Sequence, residues 1–258
     1  MNLRFSSLCF LFGALAACNP PADPPELPPA EDSDFAWVMD GYSPLFDGHS
    51  LNGWRGLGRE DIPSGHWVVD GDAIHKVASG SIPRAADGQV LAGGDLITHA
   101  TYTDFDLRFE WKVAPGANSG IKYNADETIS VATAPATGAL GFEYQVLDDS
   151  LHVDGALTTH RAGSLYDLLA APDDKPINDP GSFNTGRIVW HGGHGQHWLN
   201  GTLVVEFDVA SAEFTAAYKA SKYSGFEGFV TPKEAPIVLQ DHGDDVWFRH
   251  LQIKRLTP

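Results

Sequence analysis

Sulfur and positive charge are both scarce in this chain. Its 258 residues hold two cysteines, Cys9 and Cys18. Everything after position 18 is therefore without disulfide staples or cysteine-based zinc sites, and stability there must come from a packed core. Lysine and arginine number 17 against 34 acids, for a formal net charge of −17. That balance excludes the positive footprint through which proteins meet nucleic acid, while neutral sugars remain compatible. Long apolar runs are missing too: the opening MNLRFSSLCFLFGALAAC carries only a short one after Arg4, too short to span a bilayer comfortably and with no stop-transfer pattern behind it. No long stretch shows a helical period. Glycine (27) and proline (17) recur throughout and separate candidate strands with turn signals.

The first 17 residues read as a signal peptide. Their end, Leu15-Ala16-Ala17-Cys18, resembles the lipobox of bacterial lipoproteins, which places the mature N-terminus and its lipid on Cys18. Residues 18–40, rich in proline and acid, read as an extended, solvated tether. These features predict a bacterial envelope protein held to the membrane by its N-terminal lipid, at the periplasmic face or the outer membrane. Asn19 is compatible with outer-membrane sorting.

Residues 41–258 are long enough for one sizeable domain, and no internal break divides them. In Gly141 to His152, GFEYQVLDDSLH, Phe142, Tyr144 and Val146 alternate with Glu143 and Gln145, so one face packs and the other offers polar groups. In FDLRFEWKV, Phe105 to Val113 alternate apolar and charged residues over nine positions, the mark of a half-buried antiparallel strand whose charges pair across strands. Asn200-Gly201 in HWLNGTLVVEF predicts a two-residue hairpin turn that sets Trp198 and Leu199 against Leu203 and Val204. RIVW precedes it, and VWFRHLQIKRL closes the chain. The expected architecture is all-β, a two-sheet sandwich or jelly roll whose concave outer face would bind a ligand.

Several polar groups are candidates. Asn118 and Ser119, in the PGANSG loop that precedes the short strand IKY, could meet sugar hydroxyls, with Lys122 of that strand reaching the same cleft. Gln240, Asp241 and His242 follow an apolar strand, and His242 suits acid or base work near neutral pH. Arg249 shares parity with Trp247, Leu251 and Ile253 and so needs a partner on an apolar side. Asp148, Asp149, His152 and Asp154 offer cation ligands, with Asp148 and His152 as the candidate pair for a divalent cation; a polar turn has the same composition. His191, His194 and His197 read as surface histidines of a flexible hairpin loop.

Seven segments in order, SPLFDGHSLNGW, YTDFDLRFEWKV, NSGIKY, GFEYQVLDD, AGSLYDLLA, HWLNGTLVVEF and LQDHGDDVWFRHLQIK, resemble the bacterial 3-keto-disaccharide hydrolase family across residues 43–254. The resemblance implies a concanavalin A-like jelly roll of two antiparallel sheets. It implies cleavage of 3-keto-glycosides or 3-keto-disaccharides after a partner sugar 3-oxidoreductase has made the ketone, by elimination across C1–C2 and rehydration. It implies Glu143 and His242 as acid and base, with Lys122, Arg249 or a cation at the enolate oxygen, and Glu110, Asn118, Ser119, Gln145, Tyr166, Gln240 and Arg249 around the substrate. The family usually has arginine at Tyr123-Asn124 and asparagine at His250. The insert DETISVATAPATG has no assigned role. A non-catalytic carbohydrate-binding module and an ordinary two-carboxylate glycosidase are the alternatives, although the Glu-x-Asp-x-x-Glu strand of jelly-roll retaining glycosidases is missing after Glu143.

Overall fold

The structure, a computed structural model, describes residues 41–82, 92–132 and 138–257. The signal peptide, Cys18 and the tether lie outside the described residues.

Thirteen strands and two α-helices are found among the described residues: β1 (Ser43–Pro44), β2 (Trp54–Gly56), β3 (Trp67–Asp70), β4 (Ala73–Lys76), β5 (Leu96–Tyr102), β6 (Phe105–Val113), β7 (Asn118–Tyr123), α1 (Glu127–Ala132), β8 (Phe142–Leu147), β9 (Asn184–His191), β10 (His194–Leu199), β11 (Thr202–Asp208), α2 (Ala212–Ala220), β12 (Ala235–Leu239) and β13 (Val246–Arg255). They form two antiparallel sheets. The larger runs β11-β10-β9-β6-β13-β4-β3, with β1 on β13; the smaller runs β2-β5-β12-β7-β8. The chain is thus the all-β jelly-roll sandwich that its alternation predicts.

The alternation places the core. Phe105, Leu107, Phe109 and Trp111 of β6 are buried against Tyr123, Phe142 and Tyr144 of the smaller sheet. Phe105 meets Tyr123 edge-on at 5.9 Å, and Phe109 meets Tyr144 at 5.2 Å. Burying an aromatic ring of this kind contributes on the order of 2 kcal/mol. Because these rings fill the space between the sheets, the charged residues of β6 must face away from the core on one side of the molecule, and Asn118 and Lys122 of β7 with Glu143 and Gln145 of β8 on the other.

The hairpin turn at Asn200 (φ 46) and Gly201 (φ 79) forms as expected, pairing Trp198 with Leu203 and Leu199 with Thr202. Two histidine expectations need correction. The WHGGHGQHW segment is no loose loop but a second tight hairpin turning at Gly192 (φ 58) and Gly193 (φ 90). His197 lies at the centre of the core, fully buried. There Nε2 accepts from the Tyr123 hydroxyl (2.9 Å) and Nδ1 donates to the Gly163 carbonyl (3.1 Å); a carbonyl can only accept, which fixes the tautomer.

Candidate active site

The outward faces of β7 and β8 make the floor of a cleft. Register sets Lys122 opposite Glu143 and Gly120 opposite Gln145, and period two puts Asn118, Gly120 and Lys122 on one face. Glu143 lies across Gly120: a Cβ there would fall 2.5 Å from Glu143 Oε1 and 2.8 Å from its Cγ. The residue opposite the polar pair must therefore lack a side chain. Gln240, just past β12, spans the neighbouring groups in one amide orientation, Nε2 donating to Glu143 Oε1 (3.3 Å) and Oε1 accepting from Lys122 Nζ (3.1 Å). A chain of amides continues the floor: Gln145 Nε2 donates to Asn118 Oδ1 (3.1 Å) and Asn118 Nδ2 donates to Asp154 Oδ2 (3.3 Å). Among the described residues Gln145 Oε1 has no hydrogen-bond partner although the residue is fully buried. An unsatisfied buried acceptor costs about 1–3 kcal/mol, so the position is open to a donor from water or from a bound molecule.

Charge beneath the floor tunes Glu143. Lys122 is buried and donates to the Ala139 carbonyl (3.0 Å), with Asp95 Oδ2 at 3.5 Å and Glu143 Oε2 at 3.9 Å. Burial pushes the Lys122 ammonium down, but Asp95 and Glu143 outweigh it and leave it raised. Burial raises Glu143 above the usual carboxylate range, with Lys122 opposing. Asp95 is raised for the same reason. The three groups share a buried pocket in which Lys122 holds Glu143 from behind.

The wall is built by the segment that runs along β8, where Tyr166 N–H donates to the Glu143 carbonyl (3.0 Å). Tyr166 carries the Lys222 ammonium 4.2 Å above its ring. The Lys222 backbone is tied to Asp167, whose Oδ2 accepts its N–H at 2.8 Å. Burial lowers Lys222 from the ordinary lysine value, with Glu143 and Asp167 opposing. Together Asn118, Glu143, Gln145, Tyr166, Lys222, Gln240 and His242 line a cavity of about 90 Å³.

The 3-keto-alpha-glucoside-1,2-lyase-like domain model matches residues 41–254. The chain belongs to that family. A 3-keto-disaccharide hydrolase of Bacteroides thetaiotaomicron is 35% identical over 84% of this chain and 79% of its own. A candidate glycosyl hydrolase structure from Parabacteroides distasonis matches 84% of this chain and 95% of its own at 26% identity, with a TM-score of 0.72. Another from the same organism, at 24% identity and a TM-score of 0.60 over 83% and 99%, shares the fold.

On this 3-keto-alpha-glucoside-1,2-lyase-like domain, six of the expected residues line one cleft: Glu143, His242, Asn118, Gln145, Tyr166 and Gln240. Lys122 stands directly behind them. Others fall elsewhere. Ser119 has the opposite strand parity from Asn118, so its hydroxyl turns inward and donates to the Gln240 carbonyl (2.8 Å). Asp148 is consumed by its own turn: its oxygens accept from Gly116 N–H (2.8 Å), Ser150 N–H (3.0 Å) and Ser150 Oγ (2.6 Å), leaving no set with His152 for a cation. Asp149 accepts from Ala162 N–H and pairs with Lys175 at 2.7 Å.

Glu110 and Arg249 lie on the far outer face, on the larger sheet, where Arg249 Nε donates to Glu110 Oε2 at 2.7 Å and its guanidinium stacks 3.9 Å over Phe183. Parity misplaced Arg249 because β13 bulges between Arg249 and Gln252, with His250 at φ 51. The extra residue flips the alternation, so Leu251 and Ile253 face the core while Trp247 and Arg249 face out. Asparagine, the residue that the resemblance leads one to expect at position 250, tolerates the same positive φ. Of the insert, the described part forms α1, whose Glu127 pairs bidentately with Arg55 at 2.6 and 2.7 Å.

Lys222 and Asp95 escaped the sequence reading. Lys222 follows a short amphipathic helix in a stretch with no motif, and a lone aspartate after Gly93-Gly94 resembles any turn. Their pairing with β8 is a product of long-range topology, which periodicity does not carry.

Proposed function

We propose that this protein cleaves the glycosidic bond of 3-keto-glycosides, the 3-keto sugar being supplied by a sugar 3-oxidoreductase. The resemblance of the whole domain to enzymes of glycosides supports this reading. The single observation that carries the mechanism is that, among the described residues, Glu143 is the one carboxylate lining the cavity of about 90 Å³, while the neighbouring Asp154 and Asp244 stand outside it and each already accepts from Asn118. Hydrolysis through an oxocarbenium ion calls for two carboxylates across the bond. One base suffices for elimination.

A ketone at C3 makes the C2 hydrogen acidic because the resulting carbanion is an enolate. Glu143 takes that proton; burial makes it a stronger base than a free carboxylate. The electron pair re-forms as the C1–C2 double bond when the C1–O bond breaks, and the departing oxygen takes a proton that Glu143 now carries. Water added across the double bond returns hydrogen to C2 and hydroxyl to C1, which completes net hydrolysis. Lys222, poised on the Tyr166 ring, supplies positive charge to the oxyanion, and Gln145 Oε1 accepts from a sugar hydroxyl. Lys122 positions Glu143 rather than meeting the substrate. The reading extends to the N-terminus, where a lipid on Cys18 would hold the domain in the bacterial envelope.

The test compares the purified protein on a 3-keto-glucoside and on its unoxidised parent. Cleavage of the keto sugar alone is expected. Cleavage of the parent at a similar rate would restore the ordinary glycosidase, and binding of either without turnover would make the domain a carbohydrate-binding module.

A further inference from the structure

The loop after β8 and the loop before β13 bring together three side chains that the elimination leaves without a task. His152, His242 and Asp244 each offer one ligand atom, and these atoms lie within 4.8 Å of one another. The two imidazoles meet edge to face with centroids 5.8 Å apart and planes at 78°. Two ligand atoms on one transition metal are at most about 4.2 Å apart with bonds of 2.1 Å. Closing the set therefore takes a shift of several tenths of an ångström. His242 and Asp244 can make it: their side chains are 44% and 38% exposed, His242 has no hydrogen bond among the described residues, and its Nδ1 stands 4.0 Å from Asp244 Oδ2. Asp244 is anchored on the cleft floor, Oδ2 accepting from Asn118 N–H at 3.0 Å.

We propose that His152, His242 and Asp244 bind a divalent transition-metal cation at the mouth of the cleft. Two imidazoles and one carboxylate suit zinc, cobalt or manganese better than calcium or magnesium, which prefer all-oxygen shells. Three protein ligands leave coordination positions open. This set replaces the Asp148–His152 pair, and it takes His242 out of the role of proton donor. Its chemical role rests on the elimination reading: with Glu143 and His242 lining the same cleft, the cation accepts the C3 oxygen and holds the enolate charge as the C2 proton leaves for Glu143. No electron is gained or lost by the metal. Ligation has one local cost. His152 Nδ1 accepts from Asp154 N–H at 3.1 Å, capping the turn at Val153–Ala156. A neutral ring with that bond keeps its proton on Nε2, so binding the metal requires the cap to open or the proton to move.

Chelator-stripped full-length protein is titrated with Co²⁺ and Zn²⁺ by calorimetry, and Co²⁺ binding is followed by its visible d–d absorption. One saturable equivalent is expected, weakened at least tenfold in His242→Ala, at an exposed position, and in Asp244→Asn, at a partly exposed one, with unchanged circular dichroism. The absence of saturable binding overturns the site, as does binding that survives both substitutions. Turnover of a 3-keto-glucoside by stripped protein at the full rate overturns the cation's role while leaving the elimination intact. Saturable binding without turnover of the keto sugar upholds the site and removes the elimination instead.

Discussion

Glu143 shows how much of the chemistry is set around a single residue. Period two in FEYQVL put it opposite the core, and that much was legible; its proton affinity was not, because Asp95 and Lys122 reach it from distant segments. Burial raises the Glu143 carboxyl from its ordinary 4.5, with Lys122 opposing. Base catalysis needs the ionised form, so the rate is lost as pH falls through this raised value. The acid limb of kcat/KM on a 3-keto-glucoside should therefore lie above 4.5. Glu143→Gln keeps the shape and the Gln240 contact but has no base. It should lower kcat at least about 10³-fold with KM changed only a few-fold. A variant retaining a tenth of the parental kcat would remove Glu143 from the reaction.

At the scale of elements, the β7–β8 pair is the device that makes the cleft. Strand existence and the outward face of β8 were readable from alternation, because a half-buried antiparallel strand imposes it. The errors at Ser119 and Arg249 share a cause: parity counts correctly only when the strand start and its bulges are known. The loop PGAN gave no sign that the strand begins at Asn118, and the bulge at His250 is enforced by pairing with β6. Gly120 supplies the sharpest test of the pair. In Gly120→Ala the new Cβ would meet Glu143 Oε1 at 2.5 Å, Cγ at 2.8 Å and Cδ at 2.9 Å, so the whole buried side chain must shift and not only its end. Stability should fall by about 1–3 kcal/mol. Displacing the base by about an ångström should cost kcat/KM on the order of 10²-fold. A loss of activity matched by a collapse in Tm would instead mean that the strands themselves had parted.

For the whole molecule, the sandwich was legible and its polar interior was not. Turn signals and alternating runs fix two antiparallel sheets for a chain that has no thiol in the domain and must bury aromatics to be stable. Nothing in HGQHW, though, says that the last histidine crosses into the core, since glycine neighbours suggest a loop. Buried among rings, His197 is pushed from 6.5 down to about 4. The unfolded chain takes up a proton below about 6.5, while the folded protein refuses it until about 4, so the unfolded state binds more protons in that window. The contribution is complete above 6.5 and is lost as pH falls toward 4, about 2–3 kcal/mol by pH 4.5. Asp95 and Glu143, both raised by burial, act in the opposite sense, because the folded state takes their protons more readily. A pair of substitutions separates the two. His197→Phe with Tyr123→Phe removes the imidazole and the hydroxyl that would otherwise be left unpaired, so neither buried polar group remains. Urea denaturation at pH 7 and pH 4.5 should show the double variant losing roughly 2 kcal/mol less than the parent over that interval. Equal losses would mean that the imidazole already carries its proton inside the fold, and that the core pays for a charge there.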